Sequence, residues 1–536
     1  MVRSCNWPVV IVWLSLAEKT ALSGRSQSAR IAITGEALNN KMVSIIQGTP
    51  MTEALNLLTE QPDVSWLEEI IGPRSARHPG LSGIHPLADG LDAFAARYLL
   101  IGKAERTLDV QYYIWQNDMS GRLLFCALLE AAGRGVKVRL LLDDNNTPGL
   151  DDTLARLDRH PNITVKLFNP FSFRTIRALG YLTDFARLNR RMHNKSFTVD
   201  GVATIVGGRN VGDEYFATGS EPLFADLDVL AIGPVVAEVT EDFERYWQSK
   251  PVAPLKKVLD ESEHQHGVVA LPPDWRDSEA VQRYLARLES SHFVSQLEQG
   301  TLRMTWARAR LLSDDPRKGL GRAKRKSLLP QRMLDVIGAP QRQFDIISAY
   351  FVPTRAGVAQ LLALRRRGVK IAILTNSLAA NDVSVVHAGY AKWRKKLLRR
   401  GIELYELKPQ SGVPDAPHDR GLTGNSGSSL HAKTFTVDQE TLFIGSFNFD
   451  PRSAVLNTEM GLVIESEALA RQTHQRFNAA MRDRAWTLRL DKWGRVNWVE
   501  YAGEAQEVVH KHEPRCTWVQ RLLVRLVWRL PIEWLL

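Results

Sequence analysis

Cysteine is almost missing from this chain. Three in 536 residues (Cys5, Cys126 and Cys516) are too few and too scattered for a disulfide framework or a cysteine-rich zinc site. No Gly-Lys-Thr/Ser phosphate loop, His-Glu-x-x-His or paired Cys-x-x-Cys occurs, so the chemistry is expected to use no nucleotide, no metal and no other cofactor. Long apolar runs are missing as well. Residues 7–17 and the tail 517–530 both fall short of the roughly 20 apolar residues that cross a bilayer. Nor is there an acidic excess. The 69 Lys and Arg outnumber 59 Asp and Glu, giving a net charge of +10 and pI ≈ 9.4, which favours a polyanion or an anionic membrane surface as partner. The rest, 44% hydrophobic and 24% charged, is ordinary globular composition, and the length exceeds what one core organises.

What is present is a repeated motif. His-x-Lys-x-x-x-x-Asp occurs as His193, Lys195, Asp200 and again as His431, Lys433, Asp438. Beyond each Asp, after the same interval, come two small residues and then, one further on, an Asn: Gly207-Gly208-Arg209-Asn210 and Gly445-Ser446-Phe447-Asn448. One such triplet would arise by chance in roughly a few chains per hundred of this size; two with identical internal spacing would not. The echo extends upstream. Arg134-Gly135-Val136-Lys137 matches Arg367-Gly368-Val369-Lys370, and Asp109-Val110 matches Asp345-Ile346, with offsets of 233 to 238 residues. A period this long means two tandem domains rather than a solenoid.

Each half has an α/β rhythm. The β-branched runs 136–142 and 371–374 predict buried strands, and 121–134 and 355–367 carry Leu and Ala at helical spacing with a basic end and a Gly stop. The division expected is an N-terminal extension (1–75), a first domain (76–250), a linker or insertion with a basic stretch (251–340), a second domain (341–500) and a C-terminal tail (501–536). Residues 193–199 read as a strand. His193, Lys195 and Phe197 would share one face of it, while Asp200-Gly201 is a hairpin signal. The imidazole and ammonium are therefore read as the chemistry and the Asp as holding the turn.

Two such half-sites meeting around one phosphodiester would suffice to cleave it. Two Lys and two Asn (Asn210, Asn448) would stabilise the charged transition state and hold the phosphate. One His would attack to form a phosphohistidine, and the other would protonate the departing alkoxide. A nucleophilic His needs an orienting carboxylate on its other ring nitrogen. The candidates are Asp226 and Glu459, downstream of the first and second motifs, with Asp228 competing for the first role.

The paired motifs resemble the signature of the phospholipase D superfamily. The runs 109–115, 140–146, 189–195 and 375–388 are similar to the bacterial cardiolipin synthases, those of the C type most closely, from residue 75 to the C-terminus. The resemblance implies an α/β fold of two tandem phospholipase D-like α/β/α sandwich domains, related by a pseudo-two-fold, with one active site at their interface. It implies phosphatidyl transfer to phosphatidylglycerol through a covalent phosphohistidine, the donor being phosphatidylethanolamine or a second phosphatidylglycerol. By the same carry-over His193 is the nucleophile and His431 the general acid. Phospholipids and an anionic membrane surface are the partners it implies, with no nucleic acid, at the bacterial inner (cytoplasmic) membrane in a peripheral or interfacially anchored form. A hydrolase of the same chemistry, acting on phospholipid or nucleic acid, is the alternative. A catalytically dead scaffold would be free to lose a His or Lys, and both triplets are intact.

Four further features stand apart from the motifs. The tail sets Arg521, Arg525 and Arg529 against Val519, Leu522, Leu523, Leu526 and Leu530, with Trp518, Trp528 and Trp534 among them, as suits either a helix in the membrane interface or one docked on the protein's own core. Residues 7–17 resemble a signal-peptide core with a poor cleavage site, and Met42 or Met51 could serve as the start. The basic stretch 317–326 reads as a solvated loop more readily than as a contact for anionic headgroups, and 392–400 as an exposed basic helix face with Trp393 and Leu397 turned inward. Tyr112, Tyr113 and Trp115 read as buried strand ends or as lining for a lipid pocket.

Overall fold

The computed structural model describes residues 64–174, 176–216, 225–259, 275–381, 384–409, 430–502 and 506–529. The apolar segment 7–17, most of the expected N-terminal extension, and Leu530 and Trp534 of the tail lie outside them. The described strands are β1 (Ser82–Leu87), β2 (Thr107–Tyr112), β3 (Lys137–Asp143), β4 (Ile163–Phe168), β5 (Ser196–Val199), β6 (Ala203–Gly207), β7 (Asp228–Ile232), β8 (Val252–Pro254), β9 (Thr305–Ser313), β10 (Gln343–Ser348), β11 (Lys370–Asn376), β12 (Glu403–Leu407), β13 (Lys433–Val437), β14 (Thr441–Gly445), β15 (Met460–Glu465), β16 (Ala485–Leu490), β17 (Val496–Ala502) and β18 (Gln506–His510).

Within each half, three parallel strands are followed by an antiparallel meander. In the first, β4, β3 and β2 run parallel, and β5, β6, β7 and β1 continue antiparallel from β2. In the second, β12, β11 and β10 run parallel, and β13, β14 and β15 continue in the same order. β9 joins them: its first residues pair with β1 and the remainder with β15. The parallel units form for the reason the sequence suggests. Asp118 caps the helix Met119–Gly133 by accepting from the Gly121 amide. That helix and its counterpart Thr354–Arg366 each stop before a glycine at positive φ, Gly135 at +102° and Gly368 at +92°, a conformation that other residues adopt at a cost.

The halves pack face to face. Val206, Val229 and Ala231 of β6 and β7 meet Leu442, Ile444, Met460 and Leu462 of β14 and β15 in one buried cluster, and each large aliphatic buried there contributes about 1.5–3 kcal/mol. β6, β14 and their neighbours thus bring the two motif segments to a common edge.

Several expectations need correcting. The segment 193–199 is a strand only from Ser196, and the second motif's strand begins at Lys433; both histidines precede regular pairing because their backbones are tied to the opposite half. The stretch 251–340, read as a linker or insertion, supplies β8 and the joining strand β9, and the tail 501–536 begins inside β17 and contains β18. In the basic stretch Lys318 is buried and paired with Asp314 at 2.8 Å, although Arg322, Lys324, Arg325 and Lys326 are exposed. On the basic helix Arg394 is also buried, held by Glu406 and Glu513.

Candidate active site

The segment ahead of each histidine forms an isolated parallel bridge with the other half: Met192 with Thr458, and Leu430 with Ala225. The His193 amide donates to Thr458 O and the His431 amide to Ala225 O, both at 2.9 Å. The residues after Thr458 and Ala225 are Glu459 and Asp226. Each histidine is therefore delivered to a carboxylate of the opposite half. His193 Nδ1 lies 2.8 Å from Glu459 Oε2, and His431 Nδ1 lies 2.5 Å from Asp226 Oδ2. Both orienting candidates do contact a histidine, but crosswise, each reaching the motif that is not its own. Asp228 is excluded, since its carboxylate pairs with Arg97 at 2.7 Å and accepts from the Arg209 amide.

The lysines turn back on their own motifs. Lys195 Nζ donates to His193 O at 2.7 Å, and Lys433 Nζ donates to His431 O and sits 3.0 Å from His431 Nδ1. Each lysine's charge is also felt by the opposite histidine, which requires that the two half-sites face one space. Burial pushes His193 well below its usual range, with Lys195 and Lys433 adding to the shift. His431 is pushed down to about 3, by burial and then by Lys433. Both imidazoles are thus neutral at pH 7, as an attacking nitrogen must be.

The carboxylates differ. Burial pushes Glu459 up to about 7 against the pull of Lys195. For Asp226 burial is outweighed by the bonded His431, Lys433 and Arg209, which hold it well below the usual carboxylate range. Lys195 is pushed down to about 7 by burial, with Glu459 opposing.

Asp200 and Asp438 stand outside this cluster. Asp200 Oδ1 accepts from the Arg106 and Thr107 amides at 2.8 Å, and Oδ2 from the Glu105 amide at 3.1 Å. Asp438 accepts likewise from the amides of Gln341, Arg342 and Gln343. Both sit at positive φ in the hairpin turn after the motif strand, so each clamps that turn to the start of β2 or β10. Asn210 is fully buried, accepting from the Ile114 amide and donating to Tyr215 Oη at 3.0 Å. Asn448 Oδ1 has no hydrogen-bond partner among the described residues.

Other residues at the site were missed or misjudged from sequence. The rings of Tyr113 and Tyr215 stand edge-on to His193 and His431, with centroids 4.9 and 5.1 Å away. Of the three aromatics near β2, Tyr113 alone reaches the site; Tyr112 bonds Arg97, and Trp115 stacks on Phe125. The Ser446 hydroxyl donates to Glu459 Oε2. At the matching position Gly208 leaves no room for a side chain, because a Cβ there would lie 2.2 Å from Asp226 Oδ1. Beneath Glu459, Asp314 accepts from the Glu459 amide and from Lys318. Ser446 was visible as the small residue of its motif. Nothing in the sequence marks Asp314 and Lys318.

Comparison with known proteins bears on this geometry. The family model described as "Cardiolipin synthase, PLD-like domain" matches residues 99–247 and 333–481, one match per half. The chain belongs to this family. Within the phospholipase D-like cardiolipin synthases it is 64% identical to cardiolipin synthase C of Escherichia coli (strain K12) over 471 residues, 88% of this chain and 99% of that one. It is 27% identical to cardiolipin synthase A of Pseudomonas syringae pv. syringae (strain B728a), over 77% of this chain and 74% of the relative. The crystal structure of a phosphatidylserine synthase from Haemophilus influenzae Rd KW20 shares the fold with a TM-score of 0.54, at 14% identity, over 87% of this chain and all of that one. The family's tandem PLD-like architecture is the one in which the two motifs converge here.

Proposed function

We propose that this cardiolipin synthase family member transfers a phosphatidyl group to the glycerol hydroxyl of phosphatidylglycerol through a phosphohistidine. The observation that carries the reading is the crossed pair: two neutral histidines, each bonded through Nδ1 to a carboxylate of the other half, around one basic space. With Nδ1–H donating to Glu459, His193 Nε2 keeps its lone pair for attack on the donor phosphorus. The P–O bond to the headgroup breaks, and the departing alkoxide takes the Nε2 proton of His431, a proton this imidazole takes up from solvent when the anionic phosphodiester binds beside it and the ionised Asp226 stabilises the cation. His431 then removes the proton of the acceptor hydroxyl, which attacks the phosphohistidine and frees His193. Lys195 and Lys433 supply positive charge to the phosphorane. Asn448 is the better phosphate ligand of the two asparagines, because Asn210 uses its amide on Tyr215 and Ile114. Asp200 and Asp438 act on the turns and not on the substrate.

The substrate pair proposed is phosphatidylglycerol as acceptor with phosphatidylethanolamine or a second phosphatidylglycerol as donor. A bilayer surface is the matching location. None of the described helices is long and apolar enough to cross a membrane, but the C-terminal helix Trp518–Val527 suits the interface. Its Val524 packs on Leu378, Ala388 and Ala391, while Trp518, Val519, Leu522, Leu523 and Leu526 face outward. The test uses purified protein in mixed micelles of both lipids, with products resolved by mass spectrometry beside His193→Ala and His431→Ala. Cardiolipin that disappears in both variants is expected, and omitting each lipid in turn identifies the donor. Phosphatidic acid alone would make the enzyme a hydrolase.

A further inference from the structure

The helical segment Arg177–Leu188, kinked at Asp184, is amphipathic the wrong way round for a water-soluble surface. Its arginines point into the protein. Arg177 donates to the Asp144 and Asn145 carbonyls, Arg187 to Pro170 O and Asp184, and Arg174 just ahead binds Asp144 and Asp151. Apart from the buried Leu188, its large apolar side chains point out: Leu182 is 83% exposed, and Leu179 and Phe185, with Phe173 and Ile176 ahead of the helix, are each between 44% and 57% exposed. Scattered exposed apolar residues need no explanation; a contiguous set on one element does.

The position of this helix is as informative as its composition. It leads from β4 to His193, with only residues 189–192 between, and is bonded to residues 144 and 145 just after β3. Tyr181 Oη donates to Asn145 Oδ1 at 2.7 Å, and the next residue, Asn146, donates to Tyr113 O; Tyr113 is the residue whose ring stands against His193. From the other half, Arg452 donates to Asn189 Oδ1 at 2.8 Å, and Val455 of the same turn is also exposed. The C-terminal helix lies at the corresponding end of the second half, because Leu378, on which Val524 packs, follows the end of β11 by two residues.

We propose that the helix Arg177–Leu188, with Phe173, Ile176 and Val455, is the lipid-facing lip of the catalytic centre, seated in a phospholipid bilayer so that substrate acyl chains stay in the membrane while the phosphate reaches His193. The occupant follows from the site, since a diacyl lipid whose phosphorus reaches a buried histidine must lay its chains against the adjoining surface, and that surface is apolar here. The inference rests on the phospholipid substrate proposed above. It differs from anchoring by the C-terminal helix in tying membrane contact to the entrance itself.

The test is Leu182→Asp/Phe185→Asp in the full chain, read by sedimentation with phosphatidylglycerol/phosphatidylethanolamine vesicles and by turnover on two substrates. One is the same vesicles and the other is a short-chain phosphatidylglycerol kept below its micelle concentration. We expect vesicle binding and vesicle turnover to fall at least tenfold, with turnover of the monomeric lipid changed less than twofold. The companion variant Leu182→Phe/Phe185→Trp should bind vesicles at least as well as the parent. Unchanged vesicle binding by the aspartate variant, or equal loss on both substrates, would overturn the proposal. If the parent protein makes no lipid product from either substrate, the functional reading fails instead, and the sedimentation still reports on the lip.

Discussion

Glu459 is held in a state that weakens the fold, and replacing it should reveal both that cost and its purpose. Its Oε2 accepts from Ser446 and faces His193, whereas Oε1 is buried with no hydrogen-bond partner among the described residues. Burial raises its pKa from 4.5 to about 7. Between these values the folded protein binds a proton that the unfolded chain has released, so stability falls as pH rises through that window and stays low above it. The displacement is worth about 3 kcal/mol above pH 7 and about 1 kcal/mol at pH 5. Glu459→Gln keeps an oxygen at the Oε2 position and removes the ionisation; its amide group, buried without a partner, costs about 1–2 kcal/mol at any pH. The variant should therefore be more stable than the parent by about 1–2 kcal/mol at pH 8, yet equal or slightly weaker at pH 5. Asp314, also raised to about 6 by burial, is present in both proteins and cancels, whereas Lys195 loses the support of the Glu459 charge, which takes back part of the variant's gain. Urea unfolding at the two pH values measures this. A stability difference that does not change between pH 5 and pH 8 would refute the reasoning. Activity should move the other way. Attack by His193 needs Glu459 ionised, so transfer in the parent should rise with pH through about 7, and the variant should lose that limb and at least 100-fold in rate, by analogy with orienting carboxylates elsewhere.

The other predictions concern the turn clamps, the small-residue pair and the tail. Asp200→Ala removes three charge-assisted bonds and should cost about 3 kcal/mol in urea unfolding, while Asp200→Asn, which keeps the acceptor for the Arg106 and Thr107 amides, should cost about 1 kcal/mol; both should retain transfer within a few-fold when folded, and a stable but inactive Asn variant would contradict the clamp. Gly208→Ala drives a methyl into the Asp226 carboxylate and should lower transfer at least 100-fold, whereas Ser446→Gly loses the hydroxyl's bond to Glu459 and its contacts with the Met460 amide and carbonyl and should lower it about tenfold or less. Deleting residues 514–536 should weaken the membrane association of the folded protein, measured by fractionation, and unchanged association would remove the anchor role of the C-terminal helix.

Much of this was legible because a duplication states its own geometry. The matched spacing of the two motifs specified two α/β halves and one shared site, and the Asp-Gly after the first motif correctly marked a turn. The crossing of the carboxylates was not legible. Asp226 and Glu459 each follow a motif in the chain, and only the bridges Met192–Thr458 and Leu430–Ala225, which join residues of different halves, reassign them. The same bridges explain why the strands start late, since a backbone committed to the other half cannot also extend its own ladder. Lys318 and Arg394 misled for a different reason: a run of basic residues gives no sign of which member has a buried carboxylate waiting, here Asp314 and Glu406.

Near-identical motifs do not make equivalent histidines. Around His431 the first half offers Gly208, which lets Asp226 sit against the backbone, and Arg209, which donates to the Asp226 carbonyl. Around His193 the second half offers Ser446, a hydroxyl on Glu459, with the Asp314–Lys318 pair beneath. Asp226 stays ionised across the working pH range, so His431 keeps one base strength while it gives and takes a proton in successive steps. Glu459 titrates near neutrality, so His193 changes from poor to good nucleophile over a narrow range. A pair of titratable groups pushed apart in this way is how two chemically identical side chains acquire two roles. Because each carboxylate belongs to the half opposite its histidine, neither half carries a complete dyad of its own, and the face-to-face contact of β6 and β7 with β14 and β15 is as necessary to the chemistry as the histidines are.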